Sequence, residues 1–260
     1  MTSIYAILAT IAVSLLSLLG ILFFLIEERI VRRLLLLLVS FSTGALLGDV
    51  FLHMMPDIAQ DGGFTTGRTM LILSGILFTF VVEKIIRWRH CHELPEDMNE
   101  PHDHGHDDHH HHTHPVGILS VIGESVHNAI DGIVIASSFL AGIPTGIATT
   151  LAVAFHEIPH EIGNFAVLLH SGYSKKKALR LNIMSASAAM IGTLLVIFLS
   201  TSFSAISSAL LPFAAGNLLY IAGSDLIPEL HKETRIREGF LQLLAMIIGM
   251  ASMYAILLFE

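Results

Sequence analysis

Cysteine is almost missing. Cys91 is the only one in 260 residues, so neither a disulfide framework nor a cysteine-only zinc cluster can be built. Charge is scarce as well: 14% of residues are Asp, Glu, Lys or Arg, where a soluble domain carries about a quarter. Lys and Arg number 14 against 22 Asp and Glu, and a net charge of −8 excludes a bulk nucleic-acid binder. No leader stands apart from the first apolar run, which is too long for one and lacks a basic start or small-residue cleavage site. What is present is apolar. At 53% hydrophobic residues and a mean hydropathy of +0.70, the chain reads as a polytopic membrane protein.

A helix needs about 20 apolar residues to cross the hydrocarbon core. Eight stretches qualify: 3–26, 34–59, 67–89, 115–141, 144–171, 175–203, 205–231 and 236–259. The fold class expected is therefore all-α, with eight transmembrane helices forming one transporter-like domain over residues 1–260. Arg29, Arg32 and Arg33, Lys84, Arg87 and Arg89, Lys175, Lys176, Lys177 and Arg180, and Lys232, Arg235 and Arg237 all fall on one face, leaving Arg68 alone on the other. The positive-inside bias makes that face cytoplasmic and turns both termini outward. With no organelle signal, the plasma (inner) membrane is the default location.

The chain also repeats itself. Gly44-Ala-Leu-Leu-Gly-Asp49-Val-Phe-Leu-His53-Met-Met-Pro56-Asp57 aligns without gaps with Gly216-Asn-Leu-Leu-Tyr-Ile-Ala-Gly-Ser-Asp225-Leu-Ile-Pro228-Glu229. The second span would run outward and the seventh inward, so the matched ends lie on opposite faces. That is the pattern of an inverted repeat, common in transporters, with helices 1–3 mirrored by 6–8 around a central 4–5 pair.

Ionisable groups inside a bilayer cost roughly 2.5–3.5 kcal/mol each, so they face a cavity or a partner. In the fourth span Glu124, His127, Asn128 and Asp131 share one helix face through spacings of three and four. In the fifth, His156 and His160 form one stripe, with Glu157, Glu161 and Asn164 one residue round. Neutral imidazole and carboxylate suit a divalent transition metal such as zinc, and no mid-span thiolate or methionine cluster invites Cu(I). Two such stripes have donors for two ions. Pro159 removes a backbone donor and frees a carbonyl one turn back, which suggests a helix broken at the site. Asp49, His53 and Asp57 would line the outer path and Asp225, Glu229 and His231 the inner one, although Asp57, Glu229 and His231 read equally as solvated helix ends. Residues 90–114 hold ten histidines and seven acids without apolar periodicity, which reads as a disordered cytoplasmic loop that collects metal or merely links.

At these residues the sequence resembles the ZIP family of divalent-metal transporters. His127-Asn128-Ala-Ile-Asp131-Gly resembles the family's fourth-helix motif, and His156-Glu157-Ile-Pro159-His160-Glu161 resembles the HExPHE signature of one branch. The resemblance covers nearly the whole chain. It implies a primary metal site of His127, Asp131, His156 and His160, with Asn128, Glu157 and Glu161 forming an adjacent second site. It also implies a homodimer in which helices one, four, five and six move against the others. Some members place an acid on the sixth helix, and this chain has none between Lys175 and Phe203. The metal would be a transported substrate, Zn2+ foremost with Fe2+, Mn2+ and Cd2+ in range, and no catalytic cofactor is called for.

A rival comes from another class. His156-Glu157-Ile-Pro159-His160 also fits the HExxH pattern of zinc proteases, in which the glutamate activates a metal-bound water. An intramembrane metalloprotease would need that open coordination position and would have no use for the repeat.

Overall fold

The computed structural model describes residues 2–18, 28–92, 115–202 and 204–258. Most of the His-rich stretch, residues 93–114, lies outside them. Among the described residues the secondary structure is entirely helical. We number eight helices. They are α1 (Thr2–Ser14), α2 (Glu28–Asp49, continuing through Val50–Met54 and Met55–Gln60), α3 (Thr66–His92), α4 (Pro115–Ala141) and α5 (Ile143–His170). The remaining three are α6 (Lys175–Ala186 and Ala188–Ser202), α7 (Ser204–Tyr220, continuing through Ile221–Leu226 and Ile227–Leu230) and α8 (Ile236–Leu257).

Four segments are long and apolar enough to cross a membrane: Leu34–Gln60, Lys175–Ser200, Ala209–Leu230 and Ile236–Leu257. Their outer faces carry large apolar side chains such as Ile191, Phe198, Phe240 and Ile247 in contact with the surroundings. A face of this size suits lipid and would aggregate in water. The chain is thus a helical integral membrane protein. α4 and α5 match these helices in length but carry four buried carboxylates, Glu124, Asp131, Glu157 and Glu161.

Close approach of backbones organises the packing. A Cβ added to Gly44 would lie 2.0 Å from the Met246 carbonyl oxygen, and one on Gly249 would lie 2.1 Å from that of Phe41, so α2 and α8 touch through bare backbone. α3 and α7 meet in the same way, at Gly75 on Phe213 (2.1 Å) and Gly216 on Ile72 (2.0 Å). α4 and α6 do so at Gly132 on Ala189 (1.8 Å) and Gly192 on Ala129 (1.9 Å). Lipid gives helices no hydrophobic reason to associate, and close van der Waals contact at small residues supplies one. Thr193 adds a polar tie in that last seam, donating to the Gly132 carbonyl at 3.0 Å while its hydroxyl lies 2.7 Å from that of Thr10 on α1.

Two features depart from a reading by apolar runs alone. α2 and α7 each widen into a π turn, closed by Met55 N–H on Val50 O and by Ile227 N–H on Ala222 O. Each turn precedes a proline, Pro56 or Pro228, which has no N–H to continue the normal ladder. The two turns occupy the same register in the aligned segments. α5, in contrast, is not broken at Pro159: it runs continuously from Ile143 to His170. The carbonyl left without its usual partner, that of Phe155, instead accepts a 2.7 Å hydrogen bond from the Ser42 hydroxyl of α2.

At the face away from the basic residues, Gly62 (φ 117) and Gly63 (φ 78) make the tight exit from α2 in backbone space that favours glycine. Arg68, the lone cation there, donates to Ile58 O and Gly63 O (both 3.2 Å) and pairs with Asp61 at 2.7 Å. It thereby occupies carbonyls that the helix end leaves open.

Candidate metal centre

α4 and α5 pack side by side, and each turns its polar stripe toward the other near mid-helix. The spacing of four puts His127 above Asp131 on α4, while adjacent positions on α5 offer His156 and Glu157. Four donor atoms converge. His127 Nε2 lies 3.3 Å from His156 Nε2, 3.8 Å from Asp131 Oδ2 and 3.4 Å from Glu157 Oε1. His156 Nε2 lies 3.4 Å from Asp131 Oδ2 and 3.3 Å from Glu157 Oε1.

These separations have a chemical meaning. Zinc sits about 2.0–2.1 Å from nitrogen and oxygen ligands, and the edges of a tetrahedron of that radius are about 3.3–3.4 Å. Four of the five measured edges equal that length. The carboxylate donors are also uncommitted. Both Asp131 oxygens, Glu157 Oε1 and His156 Nδ1 are buried with no hydrogen-bond partner, a costly arrangement unless a cation completes it. Two imidazoles and two carboxylates form a donor set that fits a divalent transition metal.

A second group shares Glu157. Carboxylate oxygens of Glu124, Glu157 and Glu161 lie within 4.8 Å of one another, all three side chains buried. Such a trio in apolar surroundings attracts a cation.

The residues anticipated from sequence occupy distinct places. His127, Asp131, His156 and Glu157 meet in the four-donor group; Glu161 joins the carboxylate trio. His160 lies outside the four donors: its ring stacks on that of His127 (centroids 4.5 Å apart, planes at 13°) and its Nδ1 donates to Glu124 Oε1 at 2.9 Å. Asn128 turns to its own helix, its amide donating to the Glu124 carbonyl at 3.0 Å. Asn164 accepts from Ser120 and donates to Asn182 of α6, at 2.7 and 2.8 Å. A fully buried amide thus stands on the sixth helix beside the site.

On the far side of the site from the basic face, Asp49 and His53 lie 3.6 Å apart and buried beside the π turn of α2, and Asp57 accepts from the Thr145 hydroxyl of α5. Toward the basic face Asp225 is half-buried, Glu229 is exposed and paired with Lys232 at 2.5 Å, and His231 is exposed. Glu124 escaped the ligand reading despite sharing the stripe of His127 and Asp131; nothing in its local sequence announces a partner 36 residues away. The role of Ser42 was equally hidden, since the carbonyl it serves belongs to another helix.

The family model of the ZIP zinc transporters matches residues 1–117 and 88–257. The chain belongs to the ZIP family. Among curated ZIP relatives, it is 32% identical to the "Zinc transporter ZIP13 homolog" of Drosophila melanogaster, over 88% of this chain and 79% of that one. It is 35% identical to "Zinc transporter YKE4" of Saccharomyces cerevisiae, over 84% and 69%. It is 30% identical to "Zinc transporter zipt-7.1" of Caenorhabditis briggsae, over 92% and 75%. A ZIP protein is a metal-ion transporter and not an enzyme, so the ion is cargo and not a catalytic cofactor. The protease reading finds no support in these relatives. The geometry also departs from it: Glu157 is one of the converging donors, where a protease holds its glutamate as a base, and the second histidine of the pattern is turned away to Glu124.

Proposed function

We propose that this ZIP protein carries Zn2+ across a membrane toward the cytoplasm by alternating access, through the site formed by His127, Asp131, His156 and Glu157. The observation that carries the reading is the set of donor separations of 3.3–3.8 Å among converging groups of α4 and α5, which suits an ion of zinc's size and tetrahedral preference. Glu157 and Glu161, with His160 and Asn128 beside them, take the ion next, Glu157 being common to both groups. Affinity order alone ranks Cu2+ and Zn2+ above Fe2+ and Mn2+, and names of the relatives favour zinc.

In this proposal the eight helices all span the bilayer, the basic face is cytoplasmic and both termini point outward. The matching π turns of α2 and α7, and the pairing of α2 with α8 as of α7 with α3, support an inverted repeat of helices 1–3 and 6–8. Asp49 and His53 lie on the outer path, Asp225, Glu229 and His231 on the inner one.

The test is uptake of Zn2+, Fe2+ and Mn2+ into proteoliposomes, native protein beside His156→Ala/His160→Ala. Losing a residue that merely orients a metal ligand costs about 10–100-fold, so losing ligands should bring uptake down at least 100-fold. Native protein that binds one zinc tightly yet moves no metal would sink the carrier reading.

A further inference from the structure

We propose that Glu124 is a positioning residue for His160, fixing the imidazole so that its Nε2 is the metal-accepting atom at the mouth of the site nearest the basic face. The argument starts from the hydrogen bond. A carboxylate only accepts, so the 2.9 Å contact to Glu124 Oε1 makes His160 Nδ1 the donor. A neutral imidazole that donates from Nδ1 carries its lone pair on Nε2. That atom makes no hydrogen bond among the described residues. Histidines that bind metal characteristically hold their other ring N–H on a carboxylate, which sets the tautomer and raises the basicity of the ligand nitrogen.

The ring is fixed in orientation as well. One face stacks on His127, itself a member of the four-donor group, at 4.5 Å and 13°. Glu124 is held in turn, 5% accessible, with the Asn128 amide 3.4 Å from the same Oε1. His160, by contrast, is 41% accessible. The pair therefore has a rigid, buried end and an open end. α5 runs from Ile143 toward Lys175, so His160, one turn beyond His156, stands on the basic side of the four donors. In the transport reading, an ion leaving the four donors on that side would meet Nε2 of His160. Asn128 acquires a role by the same chain: it steadies Glu124, which steadies His160.

This inference rests on the transport reading for its meaning but not for its test. The purified protein in detergent is titrated with Co2+, whose visible absorption reports the ligands around it. The variants are Glu124→Ala, Glu124→Gln, Glu124→Asp, His160→Ala and the Glu124→Ala/His160→Ala double. The expected result is that Glu124→Ala weakens Co2+ binding about 10–100-fold and shifts the spectrum to that of His160→Ala. The double variant should be no weaker than His160→Ala, Glu124→Gln intermediate and Glu124→Asp close to native. Should Glu124→Ala fail to fold, Glu124→Gln, which keeps the side-chain size and an accepting oxygen, decides through the same spectrum. A spectrum and affinity unchanged in Glu124→Gln and Glu124→Ala overturn the proposal. So does a double variant weakened by the product of the single losses, which would make Glu124 an independent ligand. Uptake measured on the same native preparation separates the two ideas: its failure removes the carrier reading and leaves the Co2+ result standing.

Discussion

At the end of α2 the charged groups are shut in, and at the end of α7 they are open. Asp49 is 0% and His53 3% accessible, and Asp57 is tied to Thr145 of α5. At the aligned end of α7, Asp225 is half-buried, Glu229 pairs with Lys232 at the surface and Pro228 is exposed. The backbone device is the same, a π turn closed at equivalent residues ahead of a proline. Two copies of one local design in opposite surroundings teach that accessibility here is set by neighbouring helices and not by the segment itself. In the transport reading, that asymmetry marks a form sealed on one side of the site and open on the other.

The largest effect should come from breaking what the two ends share. Gly44→Leu and Gly216→Leu each drive a side chain into a carbonyl about 2 Å away in a backbone seam, and each should abolish a monodisperse, folded protein on gel filtration. Overpacking of a core ordinarily costs about 1–3 kcal/mol, and rigid backbone on the receiving side leaves less room to relax. Gly239→Ala, where nothing lies within 4 Å, is the control and should raise the melting temperature slightly, by up to about 1 kcal/mol of stability. If Gly44→Leu folds while Gly216→Leu does not, the two seams are not equivalent.

Next comes accessibility. In a Cys91→Ser background, His53→Cys and Glu229→Cys should differ in maleimide labelling rate by at least 10-fold, because a minor conformer is typically populated at about 0.1–10%. Equal rates would dissolve the contrast between the ends.

A smaller effect concerns protons. Imidazole must be neutral to bind metal, so at subsaturating zinc, uptake should fall about 10-fold between pH 7.5 and 5.5, the window around the ~6.5 at which free histidine protonates. A flat profile would count against a histidine site.

The smallest effect is a control on that profile. Partly buried Glu233 in the loop after α7 is held at about 2 by hydrogen bonds and charge from Arg235. A depressed carboxylate contributes only above its unfolded value and loses that contribution as pH falls toward 2. The pair is therefore constant from pH 7.5 to 5.5. Arg235→Ala should move Glu233 back toward 4.5 by NMR titration and leave the uptake profile unchanged.

Residues 115–141 read from the sequence coincide with α4, because a long apolar run bounded by proline and glycine leaves little freedom for its limits. The polar stripes were legible for a similar reason: Glu124, His127, Asn128 and Asp131 can only share a face if the segment is helical. What was not legible depends on neighbours. Pro159 carries the same signal as Pro56 and Pro228, yet α5 stays regular where α2 and α7 widen, since Ser42 serves the carbonyl that Pro159 frees. The resemblance gave His160 and Asn128 as ligands, and what spacing could not show is that a ring nitrogen of His160 is held by Glu124 and the Asn128 amide by the α4 backbone. The interruption of α6 at Ser187 has no proline or glycine to announce it.

The Ser42 contact has a mechanical consequence. α5 bears His156 and Glu157 of the proposed site and α2 bears none of its four donors, so sliding one helix along the other would pull the Phe155 carbonyl off the hydroxyl that serves it. Ser42 loses nothing, for the Leu38 carbonyl of its own helix lies 2.7 Å away. Stranding the Phe155 carbonyl away from water costs about 1–3 kcal/mol. In the proposed alternating access, one hydroxyl opposite one proline would therefore act as a detent, a resting notch out of which α5 is lifted before it travels.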